Sequence, residues 1–198
     1  MTEEPRRRER KRRAAIRHVQ AVALDLFDEH GFAAVTIEQV AAAADVSPSS
    51  VYRYFGTKEG IILSRPDEGL IRELRELSAE GHPMIEALRR TIAVFVATSG
   101  DGGTLDRRRV RYLMEVPSVQ AAVARRFFSD TSAVAEYLAG QMGRPAHDLE
   151  VQIMCGALYG GIIGTLRHWH ATNYVEPLGD LLDKTLTALE KGLHVDRR

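Results

Sequence analysis

Residues 36–55 read TIEQVAAAADVSPSSVYRYF, and this stretch decides the fold. Thr36 precedes Ile37-Glu38-Gln39, a hydroxyl cap with a Gln three residues on that can reach back to it. The pattern predicts a short helix from Thr36 to about Ala44. Asp45-Val46 breaks it. Ser47-Pro48 starts another, with Ser as cap and Pro at the first helical position, where no N–H is needed. That helix, 48–55, sets Val51 and Phe55 at i,i+4 on one face and leaves Ser49, Ser50, Tyr52, Arg53 and Tyr54 outward. Gly56 closes it, and Thr57 caps a fourth helix opening Lys58-Glu59-Gly60.

Upstream, Val19, Val22, Ala23, Leu26 and Phe27 recur at spacings of three and four, one stripe of an amphipathic helix over 14–30 that Gly31 stops. Before it, residues 1–17 carry eight Lys/Arg against three Asp/Glu, although the whole chain balances 27 against 27. The positive field is local to a basic arm, Arg6–Arg13. Downstream the pattern stays helical. Pro66 interrupts the fourth helix, which resumes through Leu70, Leu74 and Leu77. Pro83 opens a fifth with Ile85, Leu88, Ile92 and Phe95, and Gly100-Asp101-Gly102-Gly103 is a loop. Further helices are expected over 105–114, 118–139, 146–170 and 175–192, about nine in all, with no strand-like alternation. The fold class is all-α: an N-terminal three-helix helix-turn-helix domain and a C-terminal helical bundle. The expected organisation is a flexible basic arm at 1–13, a reading domain at 14–60 and a helical domain at 61–198.

Composition excludes several classes. At 198 residues, 44% hydrophobic and 27% charged, the chain is globular rather than disordered. Cys155 is its one cysteine, so no disulfide scaffold exists. The longest strongly apolar run, 153–166, has 14 residues, where a membrane crossing takes roughly 20. With no secretory signal visible, a cytoplasmic protein without membrane contact is expected. No phosphate loop, dinucleotide fingerprint, H-E-x-x-H or G-x-S-x-G is present, so an enzyme is not expected. His168 and His170 would point about 200° apart on a helix, poor for one metal, so neither metal nor cofactor is expected.

Two short helices joined by a tight turn, with a supporting helix before them, suit a major groove about 12 Å wide. Ser49 and Ser50 allow close approach. Tyr52, Tyr54, Lys58 and the Thr36 hydroxyl can donate to phosphate oxygens, and Arg53 is the long donor for a guanine edge or a phosphate. The stretch 19–62 resembles the DNA-binding segment of tetracycline-repressor-like (TetR/AcrR) regulators. The resemblance rests on Ala23, Leu26-Phe27, Gly31-Phe32, Thr36-Ile37, Val46-Ser47-Pro48, Val51 to Phe55, and Thr57-Lys58-Glu59. It implies that Thr36, Ser50, Tyr52, Tyr54 and Lys58 hold the phosphate backbone while Pro48, Ser49 and Arg53 face the groove. Ser49 stands where the family often has Gly.

The same resemblance implies a ligand-responsive regulator, a repressor released from a palindromic operator by a small molecule. An activator, a corepressor-dependent regulator, or a helical ligand-binding or scaffold protein without DNA binding are the alternatives. The family's last two helices form a homodimer interface. Candidates here are Gly156, Gly160 and Gly164 with Leu178, Leu182 and Leu186, the glycines permitting close approach of a facing helix. Phe95, Tyr112, Phe127, Met154 and Tyr159 are candidate linings of an effector pocket, and the run Arg107, Arg108, Arg109 and Arg111 fits an anion, although a charge run is more often a solvated face.

Overall fold

The computed structural model of the chain describes residues 3–64, 76–77, 80–81, 83–97 and 104–192. The longer elements among them are all α-helices: α1 (Glu3–His30), α2 (Ile37–Ala43), α3 (Pro48–Phe55), α4 (Lys58–Leu63), α5 (Met84–Ala97), α6 (Thr104–Glu115), α7 (Pro117–Met142), α8 (Leu149–Ala171) and α9 (Leu178–Lys191). The all-α expectation holds. Pro66, Leu70, Leu74 and the 100–103 loop lie outside the described residues. The expected flexible arm is instead the start of α1, which begins at Glu3. Residues 3–13 are mostly Glu, Arg and Lys, good helix formers, and Pro5 falls in the first turn, where its missing N–H is tolerated.

The chain divides into two units, one of Met1–Asp67 with Arg111–Val123, the other of Glu68–Val110 with Ala124–Arg198. A single cut near residue 60 misses the return of 111–123 to the first unit, because no break in composition marks a mid-helix change of company. Tyr112 shows what holds it there. Its ring lies 5.7 Å from Phe27 and 6.0 Å from Phe32, and its hydroxyl donates to Asp28 at 2.5 Å. Arg111 also bonds the Asp28 carboxylate. Burial, then the Asp28 hydrogen bond, push the Tyr112 phenol up to about 12.

In the first unit α1 buries Ile16, Val19, Gln20, Ala23, Leu24 and Phe27. The stripe is rotated from the expected one, with Val22 and Leu26 left half-buried. Gln20 is a polar residue in an apolar row, and its amide explains it. Nε2 donates to Ile61 O at 2.9 Å and Ser64 O at 2.6 Å, closing carbonyls that the end of α4 leaves open. The caps are as expected: Thr36 and Gln39 form the reciprocal box, Ser47 and Thr57 cap α3 and α4, and Gly31 and Gly56 take φ of +85° and +71°. Each cap contributes about 1 kcal/mol. Burying Val40, Val51, Phe55, Ile61 and Ile62, at about 1.5–3 kcal/mol each, outweighs them. Burial decides that these helices exist, and caps decide where they start.

In the second unit α9 packs on α8 and α5. Ala87, Ala135, Tyr137, Leu138, Ala139, Val151, Cys155, Leu158 and Leu186 form the core. Arg89 on α5 bonds Asp183, Thr187 Oγ1 (2.9 Å) and Glu190 Oε2 (3.1 Å) on α9. Burial pushes the Cys155 thiol up, as suits an inert core residue.

Gly60 sits where α4 turns back under α3, and a Cβ there would lie 1.9 Å from Phe55 O. A backbone oxygen cannot swing aside as a side chain would. Gly60→Ala is therefore expected to lower stability by about 1–3 kcal/mol, read as a fall in the thermal midpoint by circular dichroism. An unchanged midpoint would contradict this packing.

Candidate nucleic-acid interface

The turn between α2 and α3 positions the outward face of α3. Asp45 takes φ +53°, a left-handed conformation that a short polar side chain tolerates, and Val46 N donates to Ala41 O at 3.0 Å. Ser47 Oγ accepts from Ser50 N at 3.2 Å, and the Ser49 and Ser50 hydroxyls lie 3.0 and 2.9 Å from it. The expected small start of α3 is thus a hydroxyl cluster, with Pro48 and Ser49 exposed and Ser50 half-buried. Arg53 is exposed. Its guanidinium donates to Ser50 Oγ at 3.2 Å and lies 5.0 Å from the Tyr54 ring centre, while Tyr54 is half-buried.

Thr36 Oγ1 accepts from Gln39 N at 3.2 Å, and its own hydroxyl bonds the Glu38 carboxylate. Tyr52 is 48% exposed, yet its one proton is in use, donated to Glu38 Oε1 on α2 at 3.1 Å. That bond pushes the Tyr52 phenol up. The Glu38 carboxyl is held below its ordinary value, first by its own backbone amide and then by Tyr52. Lys58 Nζ donates to three carbonyls of the α1–α2 loop: Phe32 O (2.5 Å), Val35 O (2.8 Å) and Ala33 O (3.2 Å). An ammonium has three donors, so a phosphate contact from Lys58 would replace one of these bonds. The first unit thus carries all eight expected DNA-binding residues, but Thr36, Tyr52, Arg53 and Lys58 already have protein acceptors. Periodicity did not single out Glu38 or Gln20. A polar residue in the buried row of α1 is the signal that would have found Gln20.

The other candidates fall on two faces. Leu178, Leu182 and Leu186 are buried inside their own unit, at 7%, 6% and 3% exposure. This corrects their expected place on a dimer interface, since residues so enclosed have little area left for a partner. Of the glycines of α8, Gly161 faces α9, where a Cβ would lie 2.9 Å from Thr185 Cγ2. Among the described residues, nothing lies within 4 Å of a Cβ at Gly156, Gly160 or Gly164. Leu149 and Ile153, 73% and 59% exposed, continue their side of the helix at spacings of three and four. At 23 residues, with an 18-residue window of mean hydropathy 1.4, α8 is long and apolar enough by those measures to span a bilayer.

Phe127 and Tyr159 come together, ring centres 4.3 Å apart, and Met154 packs against the core cluster. Tyr112 belongs to the first unit and fills its aromatic core, which corrects its expected place in a pocket. The side chain of Phe95 lies outside the described residues. His168 faces Glu176 at 3.6 Å and His170 Nδ1 lies 2.7 Å from the Tyr174 hydroxyl.

Comparison with known proteins agrees with this layout. Residues 20–64 match the family described as bacterial regulatory proteins, tetR family, and residues 70–194 match the MftR C-terminal domain. The chain is 23% identical to the protein assigned as the mycofactocin biosynthesis transcriptional regulator MftR of Mycobacterium tuberculosis, over 92% of this chain and 94% of that one. It is 26% identical to the HTH-type transcriptional regulator TcmR of Streptomyces glaucescens, covering 98% and 91%. Among solved structures it is similar to Thermus thermophilus FadR, a TetR family transcriptional repressor crystallised with lauroyl-CoA, at 26% identity and a TM-score of 0.59 over 92% and 97%. The chain belongs to the TetR/AcrR family of transcriptional regulators, with a C-terminal domain of the MftR kind.

Proposed function

We propose that the chain is a homodimeric repressor that sits on a palindromic operator and leaves it when a small molecule binds the second unit. It is a regulator and not an enzyme, and it works in the cytoplasm, where the DNA is. The observation that carries the reading is α3: a capped start with small hydroxyls, then Arg53 exposed on the following turn. Ser50, Tyr54 and, by exchange of a present bond, Thr36, Tyr52 and Lys58 hold phosphates, while Pro48, Ser49 and Arg53 face bases. An effector weakens binding only by preferring the conformer that fits DNA worse.

A gel-shift titration on the DNA flanking its own gene tests the reading. Arg53→Ala is expected to weaken the operator by about 1–3 kcal/mol more than random duplex. An equal loss on both would make Arg53 a phosphate clamp.

One reading head grips one half-site, and the two heads of a dimer must lie about 34–36 Å apart. The outward glycines of α8 with Leu149 and Ile153 are the surface that supports a twofold partner. Because a Cβ at Gly160 meets nothing among the described residues of its own subunit, Gly160→Leu is expected to leave the thermal midpoint of the subunit intact. It should weaken the dimer by about 1–3 kcal/mol through overpacking. Sedimentation at micromolar protein reads this, and a wild-type monomer would defeat it.

The effector class we propose is an acyl thioester of coenzyme A. Its support is the likeness to a FadR crystallised with lauroyl-CoA, with Arg107 as an exposed cation of the second unit. Lauroyl-CoA is expected to raise the thermal midpoint and release the operator, with laurate or coenzyme A alone much weaker. Release by none of the three would exclude this class.

A further inference from the structure

Glu38 has no part in the scheme so far, although it stands on the same surface as the reading residues. It is exposed in the first turn of α2, and Tyr52 from α3 grips its carboxylate at 3.1 Å. Its own amide and the Tyr52 hydroxyl keep it ionised at neutral pH. An anion on a face that meets DNA is repelled by every nearby phosphate. Such a group aids binding where a hydrogen-bond donor meets it. In the major groove the donors are the exocyclic amines of cytosine and adenine, whereas guanine O6 and N7 and thymine O4 are acceptors. Adenine sets its N7 lone pair beside the amine, where it opposes the second carboxylate oxygen. Cytosine has a C–H there. Arg53 on α3 offers the complementary donor that guanine takes.

Resting on the DNA-binding reading above, we propose that Glu38 is a specificity-determining residue that accepts a hydrogen bond from the N4 amine of a cytosine in each half-site, with Tyr52 as the positioning residue that aims its carboxylate. Here Tyr52 keeps its bond to Glu38 in place of the phosphate contact given to it above. Both side chains are exposed, so neither substitution below removes core packing.

The test is binding-site selection from randomised duplexes with the full chain and with Glu38→Ala, Glu38→Gln and Tyr52→Phe at one salt concentration. Affinities for the selected duplex and its point variants follow. Wild-type sites are expected to hold a cytosine at one position per half-site, whose replacement costs roughly 5- to 150-fold. Glu38→Ala should remove that penalty and leave the other positions unchanged. Glu38→Gln should move the preference to adenine, whose N6 and N7 a side-chain amide matches. A residue that only supports folding cannot exchange one preferred base for another. Tyr52→Phe should blunt the cytosine preference, lowering the penalty for replacing that base below its wild-type value. Identical base preferences in the wild type and both Glu38 variants overturn the proposal. A Tyr52→Phe loss equal on every duplex makes Tyr52 a phosphate donor and overturns its positioning role. A wild type that selects no sequence defeats the DNA-binding reading itself, a result distinct from a selected site to which Glu38 is indifferent.

Discussion

Helices of seven and eight residues do not persist alone in water, since the cost of nucleating each is spread over too few hydrogen bonds. Everything that α2 and α3 present outward therefore depends on what they bury. That is a small core in which Val19, Ala23 and Phe27 of α1 are closed off with Val40, Val51, Phe55, Ile61 and Ile62. Four elements share it, and α2, α3 and α4, each of eight residues or fewer, depend on one another and on the long α1 for support. The reading surface is rigid because the layer beneath it is full.

The polar groups of the first unit follow from the same economy of length. Short helices have a high proportion of open N–H and C=O groups, and the unit closes them with side chains from elsewhere. Gln20 takes carbonyls of α4, Lys58 takes three carbonyls of the α1–α2 loop, and Thr36, Ser47 and Thr57 take the amides. Lys58 also stands 4.7 Å from the Phe32 ring centre, so its charge is held by an aromatic face as well as by carbonyls. The loop that delivers Thr36 is thereby tied to the helix that follows the reading helix.

What was legible in the sequence was the local chemistry. Thr36, Ser47-Pro48, Thr57, Gly31 and Gly56 announce helix ends because a cap and its amide are three residues apart, and all of them stand where that logic puts them. Pairings over distance were not legible. Tyr52 meets Glu38 14 residues away, Lys58 meets the loop 23 to 26 away, and Tyr112 meets Asp28 84 away. Periodicity also names a buried face without naming its neighbour. Leu178, Leu182 and Leu186 formed a correct apolar row, but the row serves α9's own unit. The glycines of α8 divided in the same way, and only the position of α9 against Gly161 separates them.

That division has a consequence for how such a chain can diverge. On α8 the residue that locks the subunit together and those that face away from it alternate within one turn, Gly161 inward and Gly160 outward. Inward positions are constrained by Thr185 and Leu189, so a duplicated copy of the gene must keep them to fold. Outward positions carry no such constraint from their own chain. Two copies could accumulate different outward side chains on this face while retaining one subunit architecture.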